Sequence, residues 1–174
     1  MKKFFSIILA CILLFSSFTI AFAEDKKAIV EKEAILSALF EADILTIRTA
    51  IDNRIISCEE LVSYYLERIE KYNKSYNCFI TICYESLDVA KERDKALSDG
   101  KNKGALFGVP VVIKDNMNLE GFYTTNGHKF EDCEIASDNA YVVSLLLKEG
   151  AVIVGKTNMS TDTQDARTSS SQIK

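Results

Sequence analysis

The chain has 174 residues, 48% of them hydrophobic and 26% charged, and a formal net charge of −4. That length suits about one ordinary domain with a real core. The acidic balance, with no basic run interleaved with aromatics, argues against nucleic acid as a main partner.

Met1, Lys2 and Lys3 make a short cationic start, and Phe4 to Ile20 is almost entirely apolar. Ala21, Phe22 and Ala23 then give a small-x-small cleavage pattern before Glu24. Residues 1–23 therefore read as a signal peptide, which predicts an exported protein whose contact with membrane is confined to that segment. An uncleaved anchor stays open as an alternative, because the apolar run approaches spanning length. Ile8 to Cys11 also loosely resembles a lipoprotein cleavage box. Cleavage after Ala23 leaves Cys58, Cys78, Cys83 and Cys133, either as buried free thiols or paired in a way that sequence does not choose. With no Cys-x-x-Cys pair and a single histidine, neither a zinc site nor another cofactor is expected.

Glu24 to Glu33 is charged and reads as a mobile leader, with residues 24–42 holding that leader and the start of a first helix over Ala34 to Leu45. Ser57 to Tyr72 is a second helix. Ser57 and Glu60 have the spacing of a capping box, and Leu61, Val62, Tyr65, Leu66 and Ile69 recur on one face. Asn73 to Asn77 is turn-like, Cys78 to Cys83 reads as a strand, and Glu85 to Leu97 as a helix that Gly100 helps to end. Leu106 to Ile113 is an apolar strand approach containing the chain's only proline, Pro110, which places the paired part at Val111 to Ile113 and suits an edge. After a turn-rich loop at Thr124 to Gly127, Asp138 to Lys148 forms a helix with Tyr141, Val142, Leu145 and Leu146 inward, and Ala151 to Val154 the next strand. The alternation of helix and strand predicts an α/β layer structure. Residues 161–174 hold a single large apolar residue, Ile173, and read as a polar, disordered tail.

Gly150 to Thr157, "GAVIVGKT", satisfies the phosphate-loop pattern. Its wildcard positions are Ala151, Val152, Ile153 and Val154, a β-branched run that prefers an extended strand and cannot wrap a phosphate. No nucleotide is therefore expected. A nucleotide reading also needs a helix starting at Lys156, and Asn158 to Ser171 has no amphipathic period.

Lys114 stands out chemically. It follows the apolar run Gly108 to Ile113, so its backbone lies at the end of a strand expected to be buried. A lysine there must pair, reach solvent or lose its proton. Desolvation lowers a lysine's pKa and fits it for general-base work, whereas snorkelling or pairing with Asp115 would make it merely structural.

Three ordered stretches carry a resemblance. "GALFGVPVVIKDNMNLEGFYTTNG" is similar to the amidase signature family's Gly-Pro-Leu-x-Gly-(Ile/Val)-Pro-(x)3-Lys-Asp segment and the Thr-Thr-x-Gly turn after it. "DNAYVVSLLLKEGAVIVGKTNMS" resembles the family's next helix and its Gly-Ala-(x)3-Gly-Lys-Thr-Asn-Met segment, and "IISCEELVSYYLERIEKYNKSYNCFI" its N-terminal helix and following strand. The likeness covers residues 43–160 as the N-terminal part of an amidase domain. It implies helices packed on a mixed sheet, an incomplete copy of that fold, and a small-molecule amide as substrate. It also implies hydrolysis by a serine nucleophile, a second serine in a cis peptide linkage and a lysine, for which the matching residue is Lys114. No segment here matches either serine: Gln164, Asp165 and Ala166 stand where Gly-Gly-Ser would follow Thr161 to Thr163, and Ser169 to Ser171 lack flanking glycines. A truncated exported amidase, inactive by itself and prone to aggregate, is the reading this implies. A non-catalytic amidase-like binding protein is the alternative. Ala105 replaces the family's usual proline, Asn139 its usual aspartate, and His128 follows the turn as a loop residue. Asn73-Lys74-Ser75 and Asn158-Met159-Ser160 are glycosylation-type sequons.

Overall fold

The computed structural model describes residues 26–101 and 104–161, and both the stretch read as a signal peptide and the tail beyond Thr161 lie outside the described residues. The chain divides into two units, residues 1–42 and 43–174. In the first, residues 26–39 are helical (α1), so most of the stretch expected as a mobile leader is regular helix. Charge is a poor guide there, because Lys, Glu and Ala are also good helix formers. The helix expected over Ala34 to Leu45 is broken after residue 39. Asp43 instead N-caps a separate helix, accepting a 2.7 Å hydrogen bond from the Thr46 amide.

That helix is α2 (Ile44–Asp52), and α3 (Cys58–Tyr76) follows. The α3 capping box forms as the spacing predicts: the Glu60 amide donates to Ser57 Oγ at 3.0 Å and the Ser57 amide to Glu60 Oε2 at 3.1 Å. The two amides this leaves over, of Cys58 and Glu59, donate to the Asp94 carboxylate at 2.7 and 3.0 Å. Leu61, Val62 and Leu66 of the expected stripe are buried. The helix runs through the residues expected as a turn and ends at Asn77, whose φ of 49° is left-handed. Asn73 uses its amide to clasp the Phe79 backbone, and Asn158 donates to the Asn77 carbonyl, so both sequon side chains are engaged in the fold.

β1 (Phe79–Ile82), α4 (Ser86–Ser98), β2 (Pro110–Lys114), a 3-10 turn (Phe130–Asp132), α5 (Tyr141–Lys148) and β3 (Val152–Thr157) complete the chain order. The sheet is mixed, with order β1-β3-β2: β1 runs antiparallel and β2 parallel to the central β3. Pro110 opens β2, one of two edge strands among the described residues, where a missing amide proton costs no ladder bond. Helices α3 and α4 pack on each other and on β3. On the other face Ile113 and Ile153 meet Cys83, Leu119 and Val143, with Phe122, Leu146 and Leu147 around them.

The buried face of α5 differs from expectation. Val143 is fully buried, with Leu146 and Leu147 partly so, whereas Tyr141 is 80% exposed and Val142 and Leu145 nearly half exposed. Apolar residues surround this short helix almost completely, so periodicity alone does not fix which stripe turns inward.

β3 also runs past its expected end at Val154, and it contains a one-residue offset. Val111 pairs with Ile153 but Val112 pairs with Gly155, so Val154 is the extra residue against β2. Gly155 fits this place because a Cβ there would lie 2.7 Å from the Thr81 carbonyl oxygen and 2.8 Å from the Phe79 ring. Gly155→Ala is expected to lower stability by about 1–3 kcal/mol through overpacking, read as a lower urea midpoint at unchanged slope.

Candidate functional site

The offset decides where the two lysines at the strand ends point. Side chains alternate along β2, so Ile113 and Asp115 face inward while Val112 and Lys114 face out. With the extra residue in β3, Lys156 pairs with Ile113 and shares its face. Were the same sequence paired without the offset, Lys156 would stand beside Lys114.

Lys114 therefore ends β2 as expected, but its side chain is exposed and makes no ion pair or side-chain hydrogen bond among the described residues. Of the alternatives open for this lysine, the structure takes the one that reaches solvent, neither desolvated nor tied to its neighbour Asp115. The desolvated lysine is Lys156, which the sequence presents only as part of a false phosphate loop. One signal was available: Lys156, like Lys114, directly follows an apolar run, Ala151 to Gly155. The segment itself is strand, as its β-branched residues predict, and no helix begins at Lys156.

Lys156 and Asp115 are both 0% exposed, with Nζ 3.3 Å from Oδ1. Lys156 also donates to the Tyr123 carbonyl and, at 2.9 Å, to Thr124 Oγ1. Asp115 Oδ2 accepts from the Thr125 amide at 3.1 Å and from Thr125 Oγ1 at 2.5 Å, the short length of a hydroxyl bound to a carboxylate. The Asp115 amide donates to the Thr157 carbonyl at 3.2 Å. Burial pushes the Lys156 ammonium below its ordinary value, and the Asp115 charge opposes that shift. The ends of β2 and β3 and the 123–125 loop thus share one buried polar knot.

The loop is shaped to reach it. Asn126 and Gly127 both have positive φ, 51° and 80°, and the His128 amide closes the turn on the Thr125 carbonyl at 2.8 Å. Gly127 lies against the Ser160–Thr161 backbone, where a Cβ would come within 2.9 Å. His128 is an exposed loop residue.

All of Cys58, Cys78, Cys83 and Cys133 are free thiols. Burial pushes the Cys58 and Cys83 thiols up to about 12, with Asp94 adding to the first and Glu85 to the second. Cys78 is exposed. Two of the departures noted in the sequence are locally satisfied. The Ala105 amide, which a proline would lack, donates to Glu149 Oε2 at 2.9 Å, and the Asn139 side-chain oxygen accepts from the Glu120 amide at 2.9 Å.

A family model described as Amidase matches residues 60–174. A subunit of the glutamyl-tRNA(Gln) amidotransferase of Thermoanaerobacter pseudethanolicus is 36% identical over 137 residues, 78% of this chain and 28% of the relative. Among solved structures, an amidase family protein from Bacillus anthracis is 31% identical with a TM-score of 0.68, over 76% of this chain and 27% of that one. The native peptide amidase of Stenotrophomonas maltophilia is 30% identical with a TM-score of 0.67, over 71% and 26%. The chain thus spans about a quarter of the length of the proteins it matches.

Two outcomes are expected from the site's geometry. Lys156→Ala leaves Asp115 buried without its counter-charge and should cost about 3–5 kcal/mol, measured by chemical denaturation. In native alkylation at pH 8 followed by mass spectrometry, Cys78 should label first, while Cys58 and Cys83 stay protected until denaturant is added.

Proposed function

The chain belongs to the amidase family, and from that premise we propose that it carries the lysine-bearing part of an enzyme hydrolysing the carbon–nitrogen bond of amides. Lys114 is the base and acid in this reading. It takes the proton of a serine nucleophile through a bridging serine. It then returns a proton to the departing nitrogen, because an amide cannot expel an amine anion. The two serines belong to segments with no counterpart in this sequence, so residues 1–174 by themselves are proposed to be catalytically inert.

The observation that supports the assignment is the contrast at the end of β2. Lys114 projects into solvent without an ionic partner, while the next residue, Asp115, is fully buried, with Oδ2 hydrogen-bonded to Thr125 and Oδ1 in ion-pair contact with Lys156. A lysine presented so, from a strand end held rigid behind it, is available to groups arriving from outside the described residues. The substrate in this reading is a small amide. Nucleic acid and nucleotide are not partners, and export follows cleavage after Ala23, with an uncleaved membrane anchor as the alternative.

A second reading has its own support. Ile135, Tyr141, Val142 and Leu145 expose apolar surface, Tyr141 most of all at 80%. A non-catalytic relative that binds a partner through such surface accounts for those residues without any serine.

The test begins with the coding DNA, read in all three frames through and past the Lys174 codon. A continuation into glycine- and serine-rich segments, joined to this chain and expressed, should hydrolyse simple amides, and Lys114→Ala should abolish that turnover. Unchanged turnover in the variant refutes the role of Lys114. The absence of any such segment sinks the catalytic reading and leaves the binding protein.

A further inference from the structure

The Lys156–Asp115 pair is the costliest arrangement among the described residues, and the proposed reaction makes no direct use of it. Both groups are fully buried, and removing two charges from water is repaid only in part by their attraction. Apolar residues of similar volume at such positions often give equal or better stability. Stability is thus a weak reason for the pair. Its geometry supplies a stronger one.

Every bond of the knot converges on the peptide that follows Lys114. The Asp115 amide is bound to Thr157, its carboxylate to Thr125 and Lys156, and Lys156 in turn to Tyr123 and Thr124. β2 is paired on one side only, by β3, among the described residues. The knot acts from the inner face at the very residue where the backbone leaves β2.

We propose that Lys156 and Asp115 are positioning residues for Lys114, with Thr125 as their third member. The buried ion pair sets the height and direction of the Lys114 backbone, and Thr125 locks the carboxylate so that the pair cannot rotate. Polar partners hold one arrangement where apolar side chains would tolerate several. The inference rests on the reading of Lys114 as the base, because a position matters only for a group that reacts.

The experiment uses the full-length amidase made by joining this chain to its serine-bearing continuation. The double variant Asp115→Leu/Lys156→Met removes both charges at similar volume and leaves neither ion unpaired. Its melting temperature is expected to stay within a few degrees of the parent. Its kcat is expected to fall about 10- to 100-fold with KM within about twofold, the signature of a displaced reacting group. A folded double variant with unchanged kcat overturns the proposal, and so does a loss confined to KM. If the double variant does not fold, Thr125→Val decides instead. It keeps the shape and the backbone amide but removes the 2.5 Å hydroxyl bond to Asp115 and the acceptor of the Gly127 amide. A severalfold drop in kcat at native stability supports positioning, and none overturns it. Lys114→Met is run in parallel. Activity surviving that change refutes the base reading and this inference with it, whereas its loss beside an intact double variant refutes positioning alone.

Discussion

The contact between Lys156 and Asp115 organises this chain more than any apolar cluster does. Hydrophobic burial explains why helices cover both faces of the sheet, but it is indifferent to a shift of a residue or to a tilt of a strand end. A buried charge is not indifferent. Once Asp115 is inside, Lys156 must reach it, Thr125 must offer both its donors, and the 123–127 loop must fold back over the strand ends to supply them. The positive φ at Asn126 and Gly127, and the close approach of Gly127 to Ser160, are consequences of that demand on the loop.

Much of the scaffold is legible in the sequence because local chemistry and global fold agree there. The Ser57–Glu60 box starts α3, Pro110 opens an edge strand, and the β-branched run after Gly150 is the central strand. The errors have physical causes. In α5, apolar residues at nearly every position leave the inward stripe undetermined until the sheet and the 117–122 loop are in place. In α1, a charged composition suggests absence of structure, although the same residues favour helix. The turn expected at Asn73 to Asn77 gives way to helix because Asn73 finds its partner in the backbone of β1 rather than in its own turn.

The site is legible as an address and illegible as an environment. Motif likeness singles out Lys114, and the structure puts it at the end of β2. Which lysine is buried depends on the strand offset at Val154, and no residue type announces that offset. The departures from the family pattern are likewise clearer in three dimensions. Ala105 gains a hydrogen bond that a proline could not make, and Asn139 keeps the acceptor oxygen that an aspartate would offer. Neither substitution therefore weighs against an intact local fold.

The extra residue in β3 gives the strand a property that its composition hides. Substitutions along Val152 to Val154 exchange one apolar side chain for another and leave the parity of the strand untouched. A single-codon insertion in the same stretch that kept the one-residue offset would change parity, turning Lys156 out of its buried place and setting it next to Lys114, two like charges on one open face, with Asp115 left inside alone. This strand should accordingly be permissive in a substitution scan and intolerant in an insertion scan. What it protects is a count of residues rather than their identity.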